Sequence, residues 1–149
     1  MNTAKLFIVP TPIGNLKDIT LRALETLAMA DVIVCEDTRR TLKLLNHYQI
    51  KKTLIASEKF SEARKSSQIL RLLEQGSKIA LVSDAGTPLV SDPGAYIVAQ
   101  ARKAGFPIEA LPGACAFVAA LSASGFTGSH RFIGFFPRQL KQAEQERLR

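Results

Sequence analysis

The chain contains no tryptophan, two cysteines and two histidines, and each shortage removes a class of function. Cys35 and Cys115 lie far apart, without CxxC spacing or an adjacent histidine, so reduced, buried thiols are expected rather than a disulfide or a metal pair. With only His47 and His130, a histidine-based triad or metal centre is not expected, and the metal set is read as none. No run approaches the ~20 apolar residues that span a bilayer; the longest, "ACAFVAAL", has the length of a core helix. At the N-terminus, Pro10 and Pro12 interrupt a short apolar run that follows one lysine, which makes a poor secretory signal. A cytoplasmic location without membrane attachment is therefore expected. The GxGxxG fingerprint is missing after the first strand-like run, where a single Gly14 stands between Ile13 and Asn15, and no P-loop occurs. A ligand bound here by something other than its phosphates is favoured.

What is present describes one globular α/β unit. The 149 residues are 46% hydrophobic and 22% charged, enough to bury a core without staples. Strand-like runs alternate with helix-period runs: "KLFIV" (5–9), "DVIVC" (31–35), "TLIAS" (53–57), "KIALVS" (78–83), "IEAL" (108–111) and "RFIGFF" (131–136), with helices near 20–30, 38–48, 61–75, 94–104 and 114–124. This alternation predicts an open, mostly parallel sheet with helices on both faces. Asp18 and Thr20 are candidate caps for the first helix, whose apolar stripe reads as Leu21, Leu24, Leu27 and Ala28. Gly76 and Gly105 suit left-handed helix ends. After Pro137 the polar segment "RQLKQAEQERLR" breaks the pattern and reads as a surface helix or the start of something further.

Three loops are unusual. "PTPIGN" (10–15), "SDAGTPLVSDPG" (83–94) and "LPGACAF" (111–117) each follow a predicted strand, at the edge where parallel sheets bind ligands. Glycine lets backbone approach a ligand and proline holds neighbouring amides in place, so the three together could wall a pocket. They could also be tight turns and caps, but the 83–94 segment is longer than the ~2–6 residues of an ordinary connection.

Charge is uneven as well. The net charge is +7, and no acid occurs between Asp37 and Glu58, while Arg39, Lys43 and His47 share one helical face near Arg40, Lys51 and Lys52. Such a stripe is either a solvated face or a surface for a polyanion such as nucleic acid. Glu36 and Asp37 could accept hydrogen bonds from ribose hydroxyls, or cap the helix and pair with arginine.

Taken in order, "LFIVPTPIGNLKDITLRALETL", "EDTRRTLKLLNHYQI", "IALVSDAGTPLVSDPG", "LPGACAFVAALSASGF" and "FIGFFPR" strongly resemble the tetrapyrrole methylase superfamily, within it the N-terminal half of the small-subunit rRNA methyltransferases. The resemblance covers nearly the whole chain. It implies an S-adenosylmethionine-dependent enzyme that methylates the 2'-hydroxyl of a cytidine in small-subunit (16S) rRNA, acting on that rRNA or the 30S particle, commonly as a homodimer. It further implies an S-adenosylmethionine-binding domain over 1–125 and the start of a second, nearly absent domain over 126–149.

Carried over by position, Gly86, Thr87, Pro88 and Val90 would contact the cofactor, with Asp84 at the mouth of the loop, Cys115 and Ala116 opposite, and Pro12 beside them. Arg39, Arg40 and Lys43 would face RNA. Asp37 and Glu36 are the candidates in this half for assisting the hydroxyl. The chain departs from the family pattern at "SEKFSEA" (57–63), where a His- and Asn-rich segment is commoner, and at "GACAF", which replaces a Gly-Pro helix start. Two other readings accompany this one: a tetrapyrrole (precorrin-type) methyltransferase, which "PTPIGN", "EDTR" and the basic helix disfavour, and a non-catalytic remnant that binds cofactor or RNA.

Overall fold

Strict period-two alternation along the strands assigns each apolar side chain to one of two cores. The computed structural model describes residues 4–57 and 62–135. Five parallel strands, β1 (Lys5–Ile8), β2 (Val32–Cys35), β3 (Thr53–Ala56), β4 (Lys78–Leu81) and β5 (Ile108–Ala110), form one sheet in the order β3-β2-β4-β1-β5. Between them run α1 (Leu21–Met29), α2 (Thr38–His47), α3 (Glu62–Glu74) and α4 (Ala95–Lys103), and α5 (Ala116–Ser124) follows β5.

Phe7, Ile33 and Ala80 face α1 and α2, where they meet Ala23, Leu27 and Leu45. Leu6, Val34 and Ile79 face α3 and α4, where they meet Ile69, Leu73, Ile97 and Ala101. A sheet buried on both faces explains why the strands read as continuous apolar runs. Each fully buried Leu or Ile contributes roughly 1.5–3 kcal/mol. A single cap such as Thr20, whose Oγ1 accepts from Ala23 N at 3.0 Å, contributes about 1 kcal/mol. The core therefore decides stability and the caps decide where helices begin.

Right-handed crossovers explain the layering. The chain moves from β1 through β2 to β3 with α1 and α2 on one face, then reverses direction to β4 and β5 with α3 and α4 on the other. Adjacent strands β1 and β4 consequently send their connections to opposite faces. Their carboxyl ends form the crevice of a doubly wound sheet.

The predicted strands and helices recur within a few residues, with three differences. The buried stripe of α1 is Ala23, Thr26 and Leu27, whereas Leu21 is 78% exposed and Ala28 also faces outward. Small residues face the sheet because the helix lies close against it. Asp18 belongs to a 3-10 turn (Leu16–Asp18) and only Thr20 caps α1. Residues 131–135 form no strand, because no neighbouring strand among the described residues offers them a ladder; Phe136 and the segment after Pro137 lie outside the described residues. Gly76 and Gly105 do adopt left-handed conformations after α3 and α4. Among the described residues, no helix is long and apolar enough to cross a membrane.

Candidate functional site

The three unusual loops meet at the carboxyl edge above β1 and β4, and their backbones are joined directly. Thr11 and Gly86 exchange two hydrogen bonds, Thr11 N to Gly86 O at 3.0 Å and Gly86 N to Thr11 O at 2.9 Å. The Thr11 hydroxyl, buried, donates to Ser83 O at 3.1 Å. Thr87 Oγ1 donates to Ala114 O at 2.9 Å, which ties the second loop to the third. The first and third loops touch so closely that a Cβ added to Gly113 would sit 2.5 Å from Pro10 Cβ.

Glycine is required at two further places. At Gly86 (φ +84°) a Cβ would meet Ile13 Cγ2 at 3.2 Å and Ala114 O at 3.5 Å. At Gly94 (φ +118°) it would collide with Leu81 and Leu89. Leu89 itself has φ +74°, a costly conformation for a branched side chain. Such strain persists only where surrounding contacts impose it.

These loops enclose a cavity of about 360 Å3. Gly86, Thr87, Val90, Cys115 and Ala116, which the family resemblance assigns to the cofactor, line it together with Ile13, Asp92, Phe117 and Phe132, which that resemblance does not assign. A signal for Asp92 was present, since it lies within the same loop motif. Phe117 and Phe132 stack at a tilt with centroids 5.3 Å apart. Pro88 is buried and does not line the cavity. Cys115 stands at the first turn of α5 with a half-buried thiol; Cys35 is fully buried, and burial pushes its thiol pKa up.

Pro12 and Asp84 fall elsewhere. With Arg40, Lys43, Thr11 and Ser83 they line a separate, smaller cavity of about 110 Å3 between the first loop and α2. Asp84 Oδ1 accepts from Asp37 N at 3.0 Å, and Arg40 Nε lies 3.4 Å from Asp84 Oδ2. Asp84 thus anchors the start of α2 to the end of β4.

The two candidate carboxylates differ in kind. Asp37 caps α2, accepting from Arg39 N at 2.9 Å, and its carboxylate also takes Arg39 Nη2 at 2.8 Å. These hydrogen bonds hold its pKa down at about 2. Glu36 moves the other way, raised by burial and by the fields of Asp84 and Asp92. Of the two, Glu36 is the more basic. Arg39 is committed to Asp37 and Arg40 lies against Asp84, whereas Lys43 makes no ion pair among the described residues. Tyr48 Oη donates to Leu16 O at 2.6 Å and fastens the end of α2 to the first loop. Among the described residues, no group of three or more His, Cys, Asp or Glu could hold a metal ion.

A family profile described as Tetrapyrrole (Corrin/Porphyrin) Methylases matches residues 5–147. The "Ribosomal RNA small subunit methyltransferase I" of Haemophilus influenzae is 53% identical over 148 residues, covering 98% of this chain and 52% of that protein. The chain spans about half the length of the curated relatives it matches. Among solved structures, a uroporphyrin-III-C-methyltransferase from Thermus thermophilus is similar at TM-score 0.62 and 29% identity, over 85% of this chain and 54% of that one. The same enzyme complexed with S-adenyl homocysteine gives 0.61 at 23% identity, over the same shares, a likeness of fold. The chain belongs to the tetrapyrrole (corrin/porphyrin) methylase family.

Proposed function

We propose that this chain forms the cofactor-binding half of an S-adenosylmethionine-dependent methyltransferase that acts on the 2'-hydroxyl of a cytidine in small-subunit (16S) rRNA. The observation that carries the proposal is the cavity at the β1/β4 crevice, whose wall at Gly86 is bare backbone. Its size, about 360 Å3, falls at the low end of small-molecule sites. Ile13, Phe117 and Phe132 offer apolar surface to a nucleoside, and loop backbone offers the polar contacts that orient it. The fold is shared with methylases of different substrates, so it does not choose among them. The identity of about half of all residues with relatives named for small-subunit rRNA favours RNA over a tetrapyrrole.

S-adenosylmethionine supplies a sulfonium-activated methyl group for in-line displacement. The loops hold that ligand at a fixed angle, so positioning contributes much of the acceleration. Arg40 and Lys43, on the neighbouring cavity, draw a phosphate of the RNA towards the crevice, with Arg39 at the rim. Of the two carboxylates considered for accepting the hydroxyl proton, neither of which lines either cavity, Glu36 is the better base, because its pKa is raised while hydrogen bonds from Arg39 hold that of Asp37 down. The same reading takes the 30S particle as partner, a homodimer as the assembly, residues 126–149 as the opening of a second domain, and the cytoplasm as location.

Titration calorimetry of the purified chain with S-adenosylhomocysteine, adenosine and NAD tests it. Saturable binding of the first alone is expected, with Kd of ~1 mM or tighter. A folded chain that binds none of them, or prefers NAD, overturns the reading. Turnover by these 149 residues alone on 30S particles is expected to be poor, because they span about half the length of the relatives they match.

A further inference from the structure

The apolar cavity carries a single formally charged side chain on its wall among the described residues, the carboxylate of Asp92. The rest of the cavity wall is apolar side chains, hydroxyls, a thiol and glycine backbone, and includes the rings of Phe117, on α5, and Phe132. The Asp92 carboxylate is partly buried, and that burial and the field of Asp84 both push its pKa up. What holds it is the buried Ser83 hydroxyl, which has one proton and three acceptors in reach: the Asp92 carboxylate, Gly86 O at 3.1 Å and Ala85 O at 3.4 Å. Among the described residues no cation pairs with Asp92. A cation with apolar substituents would compensate its charge, and aromatic faces attract the same kind of group.

We propose that Asp92 makes this cavity sense the charge of its ligand, binding the sulfonium form of the cofactor more tightly than the neutral thioether left after transfer. The inference rests on the cofactor reading above. Both forms share the adenosine and amino-acid parts, so those interactions cancel in the comparison. Only the sulfur differs: it is positive before the methyl group leaves and neutral afterwards. Attraction to Asp92 is therefore removed in the same step that forms product, and the site releases what it has used.

The test is calorimetric measurement of Kd for S-adenosylmethionine and S-adenosylhomocysteine on the chain and on its Asp92→Asn and Asp92→Ser variants. The wild-type chain is expected to prefer the sulfonium by about tenfold. In both variants the preference should vanish while the S-adenosylhomocysteine Kd stays within about twofold. No preference in the wild type, or a preference that survives both substitutions, overturns the proposal. Loss of S-adenosylhomocysteine binding in both variants also overturns it, because Asp92 would then be holding the loop rather than reading charge. A wild-type chain that binds neither ligand defeats the cofactor reading itself, which separates the two failures.

Discussion

Two cavities lie side by side at one edge of the sheet, and their walls are built from different material. The larger is made of glycine backbone, apolar side chains and aromatic rings, with Asp92 as its one charge among the described residues. The smaller is made from the first turns of α2 and the ends of β1 and β4, and it gathers Arg40, Lys43 and Asp84. The segment 83–94 contributes to both, Ser83 and Asp84 to one side and Ala85, Gly86, Thr87, Val90, Ser91 and Asp92 to the other. The comparison teaches that one rigid loop can separate an apolar, weakly polar-lined space from a charged one within a few residues. A low-dielectric site suits a small ligand held by shape, and a charged rim suits a polyanion held by Coulomb attraction.

The largest expected effect removes one side of this contrast. Gly86→Val places a branched side chain at φ +84° against Ile13 and Ala114, and it should weaken S-adenosylhomocysteine binding by roughly 100-fold or more. Calorimetry on the folded variant reads the loss, and unchanged affinity would remove this loop from the site. RNA binding, which the proposed function assigns to the other cavity, should change little.

The converse change is next in size. Arg40→Ala with Lys43→Ala should lower affinity for a small-subunit rRNA fragment by about tenfold at low salt. It should also flatten the salt dependence, by about 0.7 in log-log slope for each phosphate that the variant no longer neutralises. Filter binding across a salt series checks this. S-adenosylhomocysteine affinity should stay the same, and a fall in both affinities would mean that the cavities are not independent.

The smallest effect concerns Asp37. Its folded pKa, about 2, lies below its unfolded value, so its contribution to stability is present above the ordinary carboxylate range and is lost as pH falls towards 2. Asp37→Asn keeps the capping oxygen but removes the pairing with Arg39. Urea midpoints should be slightly lower than wild type at pH 7 and should converge with it near pH 2. Because Arg39 is exposed, the neutral-pH difference should shrink in high salt.

Much of this architecture was legible in the chain. The strands were readable because consecutive residues such as Leu6 and Phe7 both had to be apolar to face two cores. Gly76 and Gly105 were readable as left-handed helix ends, where the backbone takes a conformation other residues resist. The stripe on α1 was not, because leucine outweighs alanine in any hydrophobic count, while close packing on the sheet selects Ala23 over Leu21. Nor was the run at 131–135, because β-propensity makes no strand without a partner to complete its ladder.

By itself, then, the sequence determined the five strands of the sheet, the helices that follow them and the three loops rich in glycine and proline, because these depend on local periodicity and local backbone freedom. Only the tertiary structure decided which loop residues share a wall. Pro12 and Asp84 group with Gly86 by motif, and the fold puts them on the far side of the Thr11–Gly86 bridge, in the charged cavity. Asp92, which the family resemblance does not assign to the cofactor, lines the apolar one. The physical reason is the crossover that inserts β4 between β1 and β2: it brings together backbone segments distant in the chain, and no local pattern encodes which side of that junction a side chain will face.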